Sequence, residues 1–153
     1  MIGTPIPAFS LLDDQGATVT NATLMGQWVV IYAYPKDTTP GCTTEACDFR
    51  DNWARVQALG AKVYGISRDN AKSHTNFIAK QSLPFSLLSD PETTLLKALG
   101  AFGKKVMYGK EMEGIIRSTF LIDPKGIIRH VWPKVSVKGH VEEVLTTLKK
   151  LQG

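Results

Sequence analysis

The spacing of apolar positions along the chain changes several times, and each change marks an element. "WVVIYAY" (28–34) is a run of β-branched and aromatic residues ended by Pro35, the pattern of a buried strand. Beyond it Ala46, Phe49, Trp53 and Val56 recur at helical spacing, so a helix follows that buries one face and ends at Gly60. Thr39, Pro40, Gly41 and Cys42 fit its N-cap, N1, N2 and N3 positions: Thr offers a capping oxygen, and Pro is tolerated where its missing N–H has no intrahelical partner. "KVYGIS" (62–67) reads as the next strand, and strand, helix, strand implies parallel pairing with a right-handed crossover.

His74, Phe77, Ile78 and Gln81 predict a second helix and "FSLLS" another strand, after which Asp90-Pro91 caps a short helix carrying Leu95, Leu96 and Leu99 before Gly100. "STFLID" and "IIRHVW" flank the turn "DPKG" and form an antiparallel hairpin. A last helix presents Val137, Val141, Val144, Leu148 and Leu151 on one face, with Lys149 and Lys150 complementing its dipole. An extra hairpin around "DDQG" precedes everything. The expected fold is α/β, a mixed central sheet flanked by helices with an N-terminal β-hairpin extension. This order, with a cysteine in the first turn of the first core helix, resembles the thioredoxin fold.

Composition narrows the function. At 153 residues and 43% hydrophobic, with no repeat and no Pro/Gly/Ser-rich linker, residues 1–153 are expected to form one unit. The start "MIGTPIPAFSLLDD" has no basic region followed by an apolar run, so a cytoplasmic, unprocessed protein is expected. The net charge is +4, but the lysines are scattered, with only Lys104-Lys105 and Lys149-Lys150 adjacent, which argues against a nucleic-acid partner. His74, His130 and His140 are isolated and two cysteines on one helix do not complete a zinc set, so no metal is expected. Met25, Met107, Met112, Trp28, Trp53 and Trp132 read as packing residues.

The two cysteines, Cys42 and Cys47, carry the candidate chemistry. A core of this size needs no disulfide to fold, and cytosolic thiols are kept reduced. In a regular helix residues five apart are offset by about 140° and lie about 8 to 9 Å apart at Cα, whereas a disulfide needs about 7 Å or less. If the pair bonds, part of the helix must unwind. Cys42 shares the side of Ala46, Phe49 and Trp53 and receives the positive end of the helix dipole, which favours thiolate; Cys47 lies on the flank, beyond the first turn. Even complete conversion of an ordinary thiol to thiolate at pH 7 gains only about thirtyfold in nucleophile. A fast reaction therefore also needs hydrogen-bond donors and a cation that align the oxidant and stabilise the departing oxygen.

"PKDTTPGC" matches the Pro-x-x-x-Thr-x-x-Cys pattern of peroxiredoxins through Pro35, Thr39 and Cys42, and "GIIRSTFLID" places Arg117 just before a strand as that family does. The string "YPKDTTPGCTTEACDFRDN" is similar to the bacterioferritin comigratory protein (peroxiredoxin Q) subfamily, and the resemblance runs over essentially the whole chain. It implies a peroxidatic Cys42 that becomes a sulfenic acid, and a resolving Cys47 that closes an intramolecular Cys42–Cys47 disulfide. Arg117 would stabilise the thiolate and polarise the peroxide, Thr39 would hydrogen-bond the oxidant, Pro35 would shield the pocket and Glu45 would orient Arg117. It further implies hydrogen peroxide and organic hydroperoxides as substrates, thioredoxin or sometimes glutaredoxin as reductant, no metal or organic cofactor, and a monomer. "GISRDN" departs from the more familiar "GISPD" by Arg68.

Two other functions compete. A thioredoxin-type disulfide oxidoreductase would want Cys-x-x-Cys and a proline before "STFLID", where this chain has Ile116-Arg117-Ser118. A non-enzymatic redox sensor would keep an oxidisable Cys42 but react without turnover. In the plainest reading Thr39 only caps the helix and Arg117 is a surface residue.

Overall fold

The computed structural model describes the backbone of residues 1–153 and every side chain except that of Met107, which leaves one expected packing residue outside the described side chains. In chain order the elements are β1 (Ser10–Asp13), β2 (Thr18–Thr20), a 3-10 turn (Ala22–Leu24), β3 (Trp28–Ala33), α1 (Pro40–Asp51), α2 (Trp53–Ala58), β4 (Ala61–Ser67), α3 (Ala71–Gln81), β5 (Ser86–Ser89), α4 (Thr94–Ala98), β6 (Phe102–Met107), β7 (Lys110–Ile115), β8 (Ser118–Ile122), β9 (Ile128–Trp132) and α5 (His140–Leu151). Seven strands make one sheet in the order β2-β1-β5-β4-β3-β8-β9. β3, β4 and β5 are parallel; on one side β8 pairs antiparallel with β3 and β9 with β8, and on the other β1 pairs antiparallel with β5 and β2 with β1.

β3 is buried on both faces, which is why its sequence reads as a continuous apolar run. Its alternate residues serve two cores. Val30 and Tyr32, with Tyr34 just beyond, pack under Ala46 and Phe49 of α1, Phe77 of α3 and Val144 and Leu148 of α5. Val29, Ile31 and Ala33 face Leu95 and Leu96 of α4 and Phe120 of β8. The register with β8 pairs Ala33 with Ser118, so the residue before β8, Arg117, lies level with the point where the chain leaves β3.

Several expectations are corrected. The helix from Pro40 does not run unbroken toward Gly60: it breaks at Asn52 (φ −106°, ψ 18°), whose side-chain amide donates to the Asp48 carbonyl at 2.8 Å. An Asn that bonds the backbone locally competes with the helical ladder. Thr39 holds the extended backbone of an N-cap, but its hydroxyl donates to the Lys36 carbonyl at 3.0 Å instead of capping. Asp90 does cap α4, accepting from the N–H groups of Thr94 (3.1 Å) and Leu96 (2.8 Å), yet the helix begins at Thr94 and not at Pro91. Val137 precedes α5. The β6–β7 hairpin was not read from the sequence; it forms its own two-stranded sheet. Met25 and Met112 are 46% and 44% exposed and do not pack as core, while Trp28, Trp53 and Trp132 rest on the margin of the α1 and α5 core.

Gly65, in the middle of β4, shows how tightly the α1 side is packed. A Cβ there would sit 2.7 Å from Leu87 Cδ2 and 2.9 Å from both Tyr32 Cζ and Tyr34 Cε1. Gly65→Ala should destabilise the protein by about 1–3 kcal/mol through overpacking, read as a lower urea midpoint; an unchanged midpoint would show that the rings shift freely.

Candidate active site

Cys42 lies in the first turn of α1 and is 1% exposed. Arg117 reaches it across the sheet register: Nη2 donates to Cys42 Sγ at 3.2 Å, and Nη1 of the same guanidinium donates to Glu45 Oε1 at 2.7 Å. Glu45 follows Cys42 by one helical step of three residues, so both side chains present to one cation. Gly41 makes room for this, because a Cβ at that position would lie 3.3 Å from Arg117 Nη2. The Arg117 backbone is fixed between neighbours: Ile116 N–H donates to Ala101 O at 2.7 Å, and Val135 N–H donates to Arg117 O at 2.8 Å.

Burial sets the electrostatics. Glu45 is wholly buried at 0% exposure, and desolvation raises its carboxyl from the ordinary value to about 7 although Arg117 pulls the other way. Burial lowers the Arg117 pKa, but the charges of Glu45 and Cys42 outweigh it and hold the guanidinium above its usual value. The two partners thus point in opposite directions, Glu45 toward neutral and Arg117 toward charged. Glu45 Oε2 has no hydrogen-bond partner among the described residues, which further favours the neutral carboxyl. Tyr32 beneath the site is pushed well above its ordinary value by burial and then by Glu45, Cys42 and Asp37, so its phenol stays protonated.

Pro35 and Thr39 are partly buried in the loop that joins β3 to α1. With its proton donated to Lys36 O, the Thr39 hydroxyl keeps oxygen lone pairs free to accept. Cys47 is half-buried one and a half turns further along α1, its thiol donating to Gln81 Oε1 at 3.5 Å; both cysteines are free. The structure therefore brings Cys42 and Glu45 onto one Arg117 guanidinium, keeps Thr39 and Pro35 in the adjoining loop, and leaves Cys47 apart.

One cluster was missed in the sequence. Asp37 and His74, the latter read as isolated, form a buried pair at 2.7 Å between Oδ2 and Nδ1. The available signal was positional: Asp37 follows the end of β3 and Ser73-His74 open the helix after β4, and parallel neighbours place those two ends side by side. Asp37, Asp69 and His74 have ligand-type atoms within 4.8 Å of one another, but hydrogen bonds already engage each of them. His140 accepts or shares a proton with Thr119 at 2.8 Å, and burial lowers its pKa. His130 packs against Trp132 at 4.4 Å between ring centroids.

Residues 2–131 match the AhpC/TSA family, and the chain belongs to that family. A putative peroxiredoxin bcp of Coxiella burnetii is 48% identical over 147 residues, covering 96% of this chain and 97% of the relative. Peroxiredoxin Bcp of Bacillus subtilis is 47% identical over 150 residues, covering 98% and 96%. Among solved structures, the Xanthomonas campestris bacterioferritin comigratory protein superposes with a TM-score of 0.90 at 45% identity, over 95% of this chain and 92% of that one. A mutant of Xylella fastidiosa PrxQ gives 0.93 at 39% identity, over 100% and 98%. Within the family the chain falls in the bacterioferritin comigratory protein, or peroxiredoxin Q, subfamily.

The raised Glu45 has a consequence for stability. The folded protein binds this proton more tightly than the unfolded chain, so Glu45 stabilises the fold least above its folded pKa. As pH rises from about 4.5 to about 7, wild type should lose about 3 kcal/mol of unfolding free energy relative to Glu45→Gln. Parallel stability curves for the two proteins across that window would refute the assignment.

Proposed function

We propose that this thiol peroxidase reduces hydrogen peroxide and organic hydroperoxides through Cys42, with Cys47 as the resolving cysteine. The observation that carries the reading is the Arg117 guanidinium, which donates to the Cys42 sulfur and to the buried Glu45 at once. The thiolate attacks one peroxide oxygen in line with the O–O bond. That bond breaks, Cys42 gains oxygen as a sulfenic acid, and the other oxygen leaves as hydroxide or alkoxide and takes up from solvent the proton that the thiol gave up on ionising, departing as water or alcohol. Arg117 stabilises the charge that moves from sulfur to oxygen. Thr39 holds the peroxide, Pro35 keeps water from the sulfur, and Glu45 fixes the aim of the guanidinium.

Resolution follows when the Cys47 thiol attacks the sulfenic sulfur and expels water, forming the Cys42–Cys47 disulfide. Residues five apart in α1 reach this only if the helix between them unwinds. A thiol reductant then returns both cysteines to thiols. Thioredoxin is the proposed reductant, with glutaredoxin as the alternative. All electrons pass through the two sulfurs, so the reaction calls on no metal or organic cofactor. We read residues 1–153 as one domain acting as a monomer in the cytoplasm. The solved Xanthomonas campestris protein is described for alkyl peroxide reduction, which supports including organic hydroperoxides. Arg117 occupies the position before β8 where a thioredoxin-type oxidoreductase would need proline, which counts against that alternative.

Peroxide consumption with a thioredoxin system tests the reading directly: Cys42→Ser should abolish it, and full activity in that variant would sink the proposal. Cys47→Ser should leave the first oxidation intact but block the disulfide, so mass spectrometry after peroxide should find sulfenic or overoxidised Cys42. A Cys42 that stays unreacted in Cys47→Ser would contradict the division of roles.

A further inference from the structure

The loop that delivers the chain from β3 to Cys42 contains a strained residue. Thr38 has φ +67°, in the left-handed region that a β-branched side chain seldom occupies. Such a residue persists only where its surroundings over-determine it. Among the described residues its own hydroxyl bonds only the Asp37 carbonyl, at 2.6 Å, and Thr38 is exposed. The restraint has to come from next door.

Asp37 supplies it. Its side chain is 2% exposed and has three partners: Tyr34 OH donates to Oδ1 at 2.5 Å, Ser73 Oγ donates to Oδ2 at 2.8 Å, and His74 Nδ1 lies 2.7 Å from Oδ2. Its backbone N–H donates to Asp69 Oδ2 at 2.8 Å, and Asp69 is itself held by Ser67 Oγ at 2.7 Å. The proton inventory is fixed by His74 Nε2, which faces the Leu88 carbonyl at 3.0 Å. A carbonyl can only accept, so Nε2 carries hydrogen, and Nδ1 and Asp37 share one further proton between them. One loop residue is thus tied to the end of β3, the start of α3 and the end of β4.

We propose that Asp37 is a positioning residue for peroxide reduction: through Tyr34, Ser73, His74 and Asp69 it holds loop 35–39 in the strained form that presents Thr39 and Pro35 to the Cys42 sulfur. It rests on the reading that Cys42 and Thr39 receive the peroxide. Cys42 and Arg117 take their places from α1 and β8, so losing Asp37 leaves their contact intact. What fails is the alignment of the oxidant, not the nucleophile. A misplacement of about 1 Å at such a site costs up to about 100-fold in rate.

The test compares kcat/KM for hydrogen peroxide with the rate of Cys42 alkylation by iodoacetamide, in the full chain with Cys47 present, using Cys42→Ser as the blank for both. Asp37→Ala should lower kcat/KM by about 10- to 100-fold while alkylation changes by less than about threefold. Asp37→Asn, whose amide can accept from Tyr34 and donate to a neutral His74, should stay within about fivefold of wild type. Adding Thr38→Gly to Asp37→Ala removes the strain and should recover at least about threefold. Should Asp37→Ala fold poorly, Ser73→Ala removes a single donor and should lower kcat/KM several-fold, again without slowing alkylation. Unchanged kcat/KM in Asp37→Ala, no recovery with Thr38→Gly, or alkylation falling in parallel would each overturn the proposal. Full activity in Cys42→Ser would instead remove the reading beneath it.

Discussion

The site depends on one half-buried guanidinium serving two partners. Arg117 is 17% exposed on its side chain, Glu45 is fully buried, and the Cys42 sulfur lies 3.2 Å from the other arm of the fork. Removing Arg117 would leave the buried Glu45 without the cation that opposes its desolvation. The surrounding architecture is what makes this arrangement sustainable. The β3–β8 register brings Arg117 level with the end of β3, Gly41 leaves space over the first turn, and the three-residue step from Cys42 to Glu45 sets both acceptors on one side of α1. A planar fork can hold sulfur and carboxylate in fixed directions at once, which a lysine could not do.

The proposed catalytic cycle asks α1 to be both rigid and breakable. While peroxide is attacked, Cys42 must be held under Arg117; for the disulfide to form, the turn between Cys42 and Cys47 must open. The break at Asn52 reconciles these demands. It separates α1 from α2, and α2 is tied independently to α5, with Arg55 Nη2 donating to Glu142 Oε1 at 2.9 Å. In the closed helix Cys47 contacts Gln81 and Arg50 Nη1 donates to Gln81 O (2.7 Å), both at the C-terminal end of α3, so the proposed opening would have to break the Cys47–Gln81 contact. Asp37 is anchored at the other end of α3, away from the segment that opens. One helix therefore carries the latch that gives way and the anchor that does not.

The strands, the helices with a clear apolar face and the cysteine at the helix start were legible because their signals are local: β3 as a continuous apolar run, α3 from Phe77 and Ile78, the "DPKG" hairpin from its turn residues. What was not legible depended on contacts between distant segments or on competing local bonds. Asn52 breaks a helix that the apolar periodicity carries straight through, since the periodicity records the buried face and not the side-chain bond to Asp48. Thr39 was expected to cap and instead bonds Lys36, because the backbone turn at Thr38 brings that carbonyl within reach. The β6–β7 hairpin, with Lys104, Lys105, Glu111 and Glu113 on exposed strands, has little apolar pattern to read. Arg117, Thr39 and Pro35 came from resemblance to a family, and only the strand register supplies a physical reason for Arg117. The Asp37–His74 pair escaped because its members are far apart in sequence and each looks ordinary alone.

In the proposed reaction Arg117 acts on the transition state for O–O cleavage and not merely on the charge of the sulfur. The direct measurement is the pre-steady-state rate of Cys42 oxidation by peroxide in reduced Arg117→Ala, set beside its rate of alkylation by iodoacetamide at the same pH. Loss of a preorganised donor to the developing charge predicts a fall of about 100- to 1000-fold in the peroxide reaction, against at most about thirtyfold for alkylation, the full range open to thiolate content. Equal losses in the two reactions would contradict the account, since Arg117 would then do no more than keep Cys42 ionised.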